Sequence, residues 1–70
     1  MDRILLGQRL RQCREQLGWS QQQVADQLGI TRSSYAYYET GASCPRLPTL
    51  CKLAKLYHVS YDELLDGMDE

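Results

Sequence analysis

Seventy residues with a formal net charge of −1 set narrow limits. A chain this short makes one domain, residues 1–70, near the smallest size at which a single core folds unaided. That leaves no room for an enzyme cleft beside a separate regulatory domain. The odd set Cys13, Cys44 and Cys51, with no C-x-x-C pair, argues against a disulfide framework and fits a reducing cytoplasm.

The first helix is expected from about Asp2 to Leu17. Its run Ile4-Leu5-Leu6 is too brief for a signal sequence or a membrane span, so a cytoplasmic location with no membrane contact is expected. Leu6, Leu10, Cys13 and Leu17 follow the spacing of one buried face. Arg14 falls at the border of that face, while Arg3, Arg9 and Arg11 read as ordinary solvated charges. Gly18 is the stop, and Trp19 supplies a large apolar plug.

Ser20 with Gln23 has capping-box spacing, so a second helix starts at Gln21 and presents Val24, Ala25 and Leu28 on one face. Gly29 turns the chain and Ile30 anchors the turn. Thr31 then caps a third helix, from Arg32 to about Thr40, which Gly41 ends. Two short helices joined by a glycine-containing turn form the helix-turn-helix pattern. On the third helix, Tyr35 and Tyr38 point one way, and Arg32, Ser33, Ala36 and Tyr37 the other. The second side carries no acid and offers groups able to read base edges in a major groove; the blander reading is a solvated helix face.

A loop from Ala42 to Arg46 leads to a fourth helix, about Leu47 to Tyr57, with Pro48 in its first turn. Leu50, Leu53, Ala54 and Tyr57 line its apolar face. Ser60 and Glu63 repeat the capping-box spacing and open a fifth helix, Tyr61 to about Asp66, which buries Leu64 and Leu65. Cys51 and His58 lack the close partners that a zinc site needs, so no metal and no cofactor are expected. With no strand-like alternation, the fold class is all-α, a compact five-helix bundle.

Charge is unevenly placed. Residues 1–61 hold all eight Lys and Arg but only four acids, a net of +4. The last nine residues hold the other five acids, Asp62, Glu63, Asp66, Asp69 and Glu70. A mildly basic body gains from phosphate contacts, and the acidic end is expected to lie away from DNA.

Together these segments resemble the Cro and phage-repressor (XRE-type) helix-turn-helix regulators. The carrying stretches are GQRLRQCR at 7–14, WSQQQVA at 19–25, LGITRSS at 28–34, YYETG at 37–41 and LCKLAKLYHVSYDELL at 50–65. The resemblance implies a lambda-repressor-like domain whose third helix enters the major groove, with Arg32, Ser33 and Tyr37 at base-contacting positions. Gln21 matches a phosphate-binding position that also braces the first residue of the reading helix. Ser34, Thr40 and Arg46 match further backbone-contact positions, and Arg14 pairs with Glu39 between the first and third helices. Three features depart from the pattern. Tyr35 stands where Ile or Val is usual, so its hydroxyl finds a partner or reaches the groove edge. His58 replaces the usual Gly or Asn, and residues 41–45 lack Lys and Arg.

The resemblance implies a sequence-specific regulator, repressor-like, that binds double-stranded DNA. No ligand-binding or protease-like domain is expected beyond the fifth helix. One reading helix covers few base pairs, so a homodimer on a palindromic operator is expected, pairing through Leu56, Tyr61, Leu65 and Met68. The alternative is a protein-interaction module, an antitoxin or regulator-binding subunit, with weak DNA binding or none. An enzyme is not expected from one histidine, no triad and no phosphate-binding glycine loop.

Overall fold

The computed structural model describes residues 2–67, and among these every regular element is a helix. In chain order they are α1 (Arg3–Gln16), α2 (Gln21–Leu28), α3 (Arg32–Thr40), α4 (Leu47–Tyr57) and α5 (Tyr61–Leu65). None of the described helices is long and apolar enough to cross a membrane.

Local chemistry sets the helix ends. The Asp2 carboxylate accepts from the Ile4 and Leu5 amides at the start of α1. Ser20 and Ser60 each complete a capping box, with Gln23 and Glu63 reaching back to the cap amide. Thr31 accepts from the Ser34 amide at the start of α3. Gly29 and Gly41 end α2 and α3 in the left-handed region, with φ of 70° and 83°. The helix-turn-helix is therefore framed at all four ends by residues suited to those positions.

The core gathers one stripe from each helix: Leu6 and Leu10, Val24, Ala25 and Leu28, Tyr35, then Leu50, Leu53, Ala54 and Tyr57, closed by Leu64. α3 packs against α1 and α2, α4 against α2 and α5, and α5 against α1. Leu17 does not join this core; it is 41 % exposed. α1 ends at Gln16, so the apolar stripe is broken there, and Trp19 turns back to pack on the Tyr57 ring instead. Leu65 is half-buried, whereas Leu64 is fully enclosed.

Two contacts go beyond helical spacing. Gly7 is buried where α1 crosses α3, and a Cβ there would stand 2.3 Å from the Glu39 carbonyl oxygen and 2.5 Å from that of Tyr38. The helices therefore meet backbone to backbone. Arg9 is not a solvated charge either. Its guanidinium donates to the Leu64 carbonyl at 3.1 Å and the Glu63 carbonyl at 3.4 Å. It satisfies the otherwise open C-terminal end of the five-residue α5 and ties it to α1.

His58 adopts the left-handed C-cap geometry that its β-carbon disfavours, with φ 57°. Two outcomes follow for urea unfolding. Gly7→Ala should lower stability by about 1–3 kcal/mol, because the obstructing atoms are backbone and cannot rotate away. His58→Gly should raise it by up to about 1 kcal/mol through relief of the strained backbone.

Candidate nucleic-acid interface

The third helix carries a single acid, and it faces inward. Glu39 is buried at 8 % exposure, while Arg32, Ser33 and Tyr37 stand exposed on the outer side of the same helix. The outward surface of α3 thus presents a guanidinium, a hydroxyl and a phenol with no carboxylate among them.

Three nitrogen donors, from Arg14 and Gln21, converge on the buried carboxylate. Arg14 binds it in bidentate fashion, Nε to Oε2 at 2.7 Å and Nη2 to Oε1 at 3.1 Å. The remaining Arg14 nitrogen, Nη1, donates to the Trp19 carbonyl at 2.9 Å. Gln21 Nε2 donates to Oε1 at 3.1 Å. Burial pushes the Glu39 carboxyl upward, but the hydrogen-bonded Arg14, helped by the nearby Tyr35 hydroxyl and by Gln21, outweighs it and holds the group below its ordinary range. The same pair holds the Arg14 guanidinium above its ordinary value.

From Gln21 the network continues to the surface. Arg32 Nη1 donates to Gln21 Oε1 at 3.1 Å, so the first residue of α3 is braced by the first residue of α2. Ser34 is half-buried; its amide donates to Thr31 Oγ1, and the Thr31 hydroxyl donates in turn to Ser34 Oγ. Thr40 Oγ1 contacts the Tyr37 carbonyl and the Ala42 amide and so fastens the end of α3 to the following loop. Arg46 is exposed and, as the N-cap of α4, makes no side-chain capping bond. Gln21 and Arg32 are thus joined directly, whereas Ser34, Thr40 and Arg46 sit on separate supports.

Tyr35 resolves the alternative posed by its size. It is wholly enclosed, at 0 % exposure, and its hydroxyl meets that of Tyr57 at 2.6 Å rather than reaching the surface. Burial drives both phenols upward, Tyr57 to about 12. Helical spacing marks Tyr57 as a core residue and carries no information on its hydroxyl partner.

The pairing residues are less open than expected. Leu56, Tyr61 and Leu65 are half-buried against the core, and Tyr61 also meets the Cys51 thiol. Met68 lies outside the described residues, as do Asp69 and Glu70. Larger apolar exposure occurs at Ile4, Tyr37 and Leu47. The acids Asp62, Glu63 and Asp66 ride on or just after α5, which packs against α1 and α4 while α3 packs against α1 and α2.

The family model described as helix-turn-helix matches residues 10–64. The chain belongs to this helix-turn-helix family. Among its relatives is an SPbeta prophage-derived uncharacterized HTH-type transcriptional regulator, YonR, of Bacillus subtilis, 51 % identical over 90 % of this chain and 58 % of its own length. The HTH-type transcriptional regulator ImmR of the same organism is 42 % identical over 93 % of this chain and 50 % of its own. The cryptic phage CTXphi transcriptional repressor RstR of Vibrio cholerae is 39 % identical over 81 % and 51 %. The chain spans about half the length of the curated relatives it matches. No solved structure matches it.

Because folding depresses the Glu39 carboxyl, its contribution is complete above the ordinary carboxylate range and is lost as pH falls through the lower folded value. Glu39→Gln should therefore flatten the acid limb of a stability-versus-pH curve measured by urea unfolding. At neutral pH it should cost about 3 kcal/mol, since Arg14 keeps its charge in a largely buried place with no counter-ion.

Proposed function

We propose that residues 1–70 form the sequence-reading, DNA-binding domain of a repressor-like transcriptional regulator that acts in the cytoplasm. The observation that carries this reading is the division of α3. Its acid is buried and neutralised by Arg14, and its outward face offers Arg32, Ser33 and Tyr37 to a groove. The names of the relatives, regulators and a phage repressor, support it.

In the proposed complex α3 lies in the major groove of double-stranded DNA. The caps at Ser20 and Thr31 occupy the amides of Gln23 and Ser34, which leaves the first amides of α2 and α3 to meet phosphates. Those contacts, with Gln21, Ser34, Thr40 and Arg46, set register on the backbone. Arg32 has five N–H donors, and the Gln21 brace uses one. The rest suffice for a bidentate bond to the O6 and N7 atoms of a guanine, with Ser33 and Tyr37 reading neighbouring edges.

One such helix spans few base pairs, so we propose a homodimer on a palindromic site with half-sites about 34 Å apart. Leu56, Tyr61 and Leu65 supply only the exposed parts of half-buried side chains to that pairing.

Selection from a random duplex library at two salt concentrations tests the reading. An enriched site whose affinity falls with salt is the expected result. Arg32→Ala should then relax preference at one base pair, at a cost of about 1–3 kcal/mol. Arg46→Ala should weaken all sequences alike and lower the salt slope by about one. No enriched site, together with a stably bound partner protein, would instead establish the interaction-module reading, which the exposed Tyr37 and Leu47 would serve.

A further inference from the structure

A hydrogen-bonded path leads from the buried Glu39 carboxylate to the exposed Arg32 guanidinium. Its middle member is Gln21, half-buried at the start of α2. Gln21 Nε2 donates to Glu39 Oε1 at 3.1 Å, and Gln21 Oε1 accepts from Arg32 Nη1, also at 3.1 Å. A carboxylate only accepts and a guanidinium only donates, so this amide has one workable orientation. Turned over, it would set its oxygen against the carboxylate and its NH2 group against the guanidinium, and both bonds would be lost.

The inner end of the path is the fixed one. Arg14 grips both carboxylate oxygens, Nε on Oε2 at 2.7 Å and Nη2 on Oε1 at 3.1 Å, and the Trp19 carbonyl holds its third nitrogen at 2.9 Å. A fork on both oxygens sets the plane of the carboxylate, and with it the direction in which Oε1 meets Gln21. The Arg14 and Glu39 side chains are only 13 % and 4 % exposed. Arg32 is exposed, and an unbraced arginine there would sample many rotamers. Order therefore passes outward, from the enclosed ion pair to the open guanidinium.

We infer that Glu39 is a positioning residue for base reading: gripped by Arg14, it holds the Gln21 amide in the one orientation that fixes the Arg32 guanidinium. The inference rests on the proposed role of Arg32 as a base reader. It gives the ion pair a purpose beyond joining α1 to α3. Glu39 is buried and lies two turns of α3 beyond Arg32, about 10 Å along the axis, so it acts through Gln21 and touches no base itself. Without the carboxylate, the inward NH2 group has no acceptor and the amide turns over freely. Arg32 then loses its bond to Gln21, and its paired N–H groups meet a guanine in the right plane less often.

The double variant Arg14→Met/Glu39→Met exchanges the ion pair for apolar side chains of similar length, a replacement that buried sites often tolerate, and leaves net charge unchanged. Gln21→Met cuts the path with the ion pair in place. The control is Arg11→Met/Glu15→Met, which removes the exposed pair on α1 in the same way. Thermal unfolding of each variant verifies a cooperative fold. In the free protein, NMR relaxation of Arg32 Nε–H should show greater motion in both test variants than in the control. With DNA, take the affinity ratio between the selected site and that site changed at the base pair read by Arg32. This ratio should fall about three- to tenfold in both test variants, with the salt slope of the ion-pair variant unchanged. A merely structural role for Glu39 would lower the melting temperature and move neither readout.

A folded ion-pair variant with wild-type Arg32 motion overturns the inference, as does greater motion with an unchanged affinity ratio. If Gln21→Met moves both readouts and the ion-pair variant neither, Gln21 braces Arg32 alone and the role given to Glu39 falls. Should the ion-pair variant not fold, Glu39→Gln decides by the same readouts, since Arg14 claims its one carbonyl oxygen and Gln21 is left facing an NH2 group. If the wild-type protein selects no site, the DNA reading fails by itself, and Arg32 motion still decides whether Glu39 orients the guanidinium.

Discussion

The Glu39 carboxylate is where three helices and the candidate reading surface meet. A charge so nearly removed from water is tolerated only with compensation, and here a bidentate guanidinium and a side-chain amide supply it. Each partner comes from a different helix, Arg14 from α1 and Gln21 from α2, while Glu39 itself belongs to α3. The carboxylate therefore acts as a registration point between α1 and the helix-turn-helix. It also removes the one negative charge that α3 would otherwise offer to DNA. Structural and electrostatic purposes are served by the same inward turn.

Around that point, α3 is held in two unlike ways. Toward α1 the contact is backbone on backbone at Gly7, a fit with no side chain to adjust. Toward α4 the contact runs through the large, polar-tipped side chain of Tyr35, which fills the centre of the core and still satisfies its hydroxyl. The small residue sets the distance between helices and the large one sets rotation about the helix axis. An outward face proposed to meet base edges needs both fixed.

Much of the framework was legible in the residues themselves. Ser20–Gln23, Thr31, Gly29, Gly41 and Ser60–Glu63 are local signals, and the bounds they give for α2 and α3 and the start they give for α5 coincide with those of the structure. The Arg14–Glu39 and Gln21–Arg32 partnerships come with the family resemblance, since wheel positions place Arg14 and Glu39 at face edges without naming partners. What spacing could not reveal depends on tertiary proximity. Gly7 reads as a mere weak point in a helix until α3 is laid across it. Arg9 joins the carbonyl end of a helix more than fifty residues away. Leu17 keeps the period of α1 after the helix itself has stopped. The size of Tyr35 leaves open a partner for its hydroxyl or an outlet at the groove edge, and only the packing of α4 decides for Tyr57.

The brace on Arg32 separates the outer residues of α3 into two kinds. Ser33 and Tyr37 project from a helix whose seating depends on neither, so exchanging them alters what the surface touches while the seam beneath is untouched. Arg32 has no such latitude, because the oxygen that Gln21 turns toward it asks for a donor. Divergence toward new targets would thus run cheaply through positions 33 and 37. Change at position 32 would demand a matching change at Gln21 or in the cluster behind it.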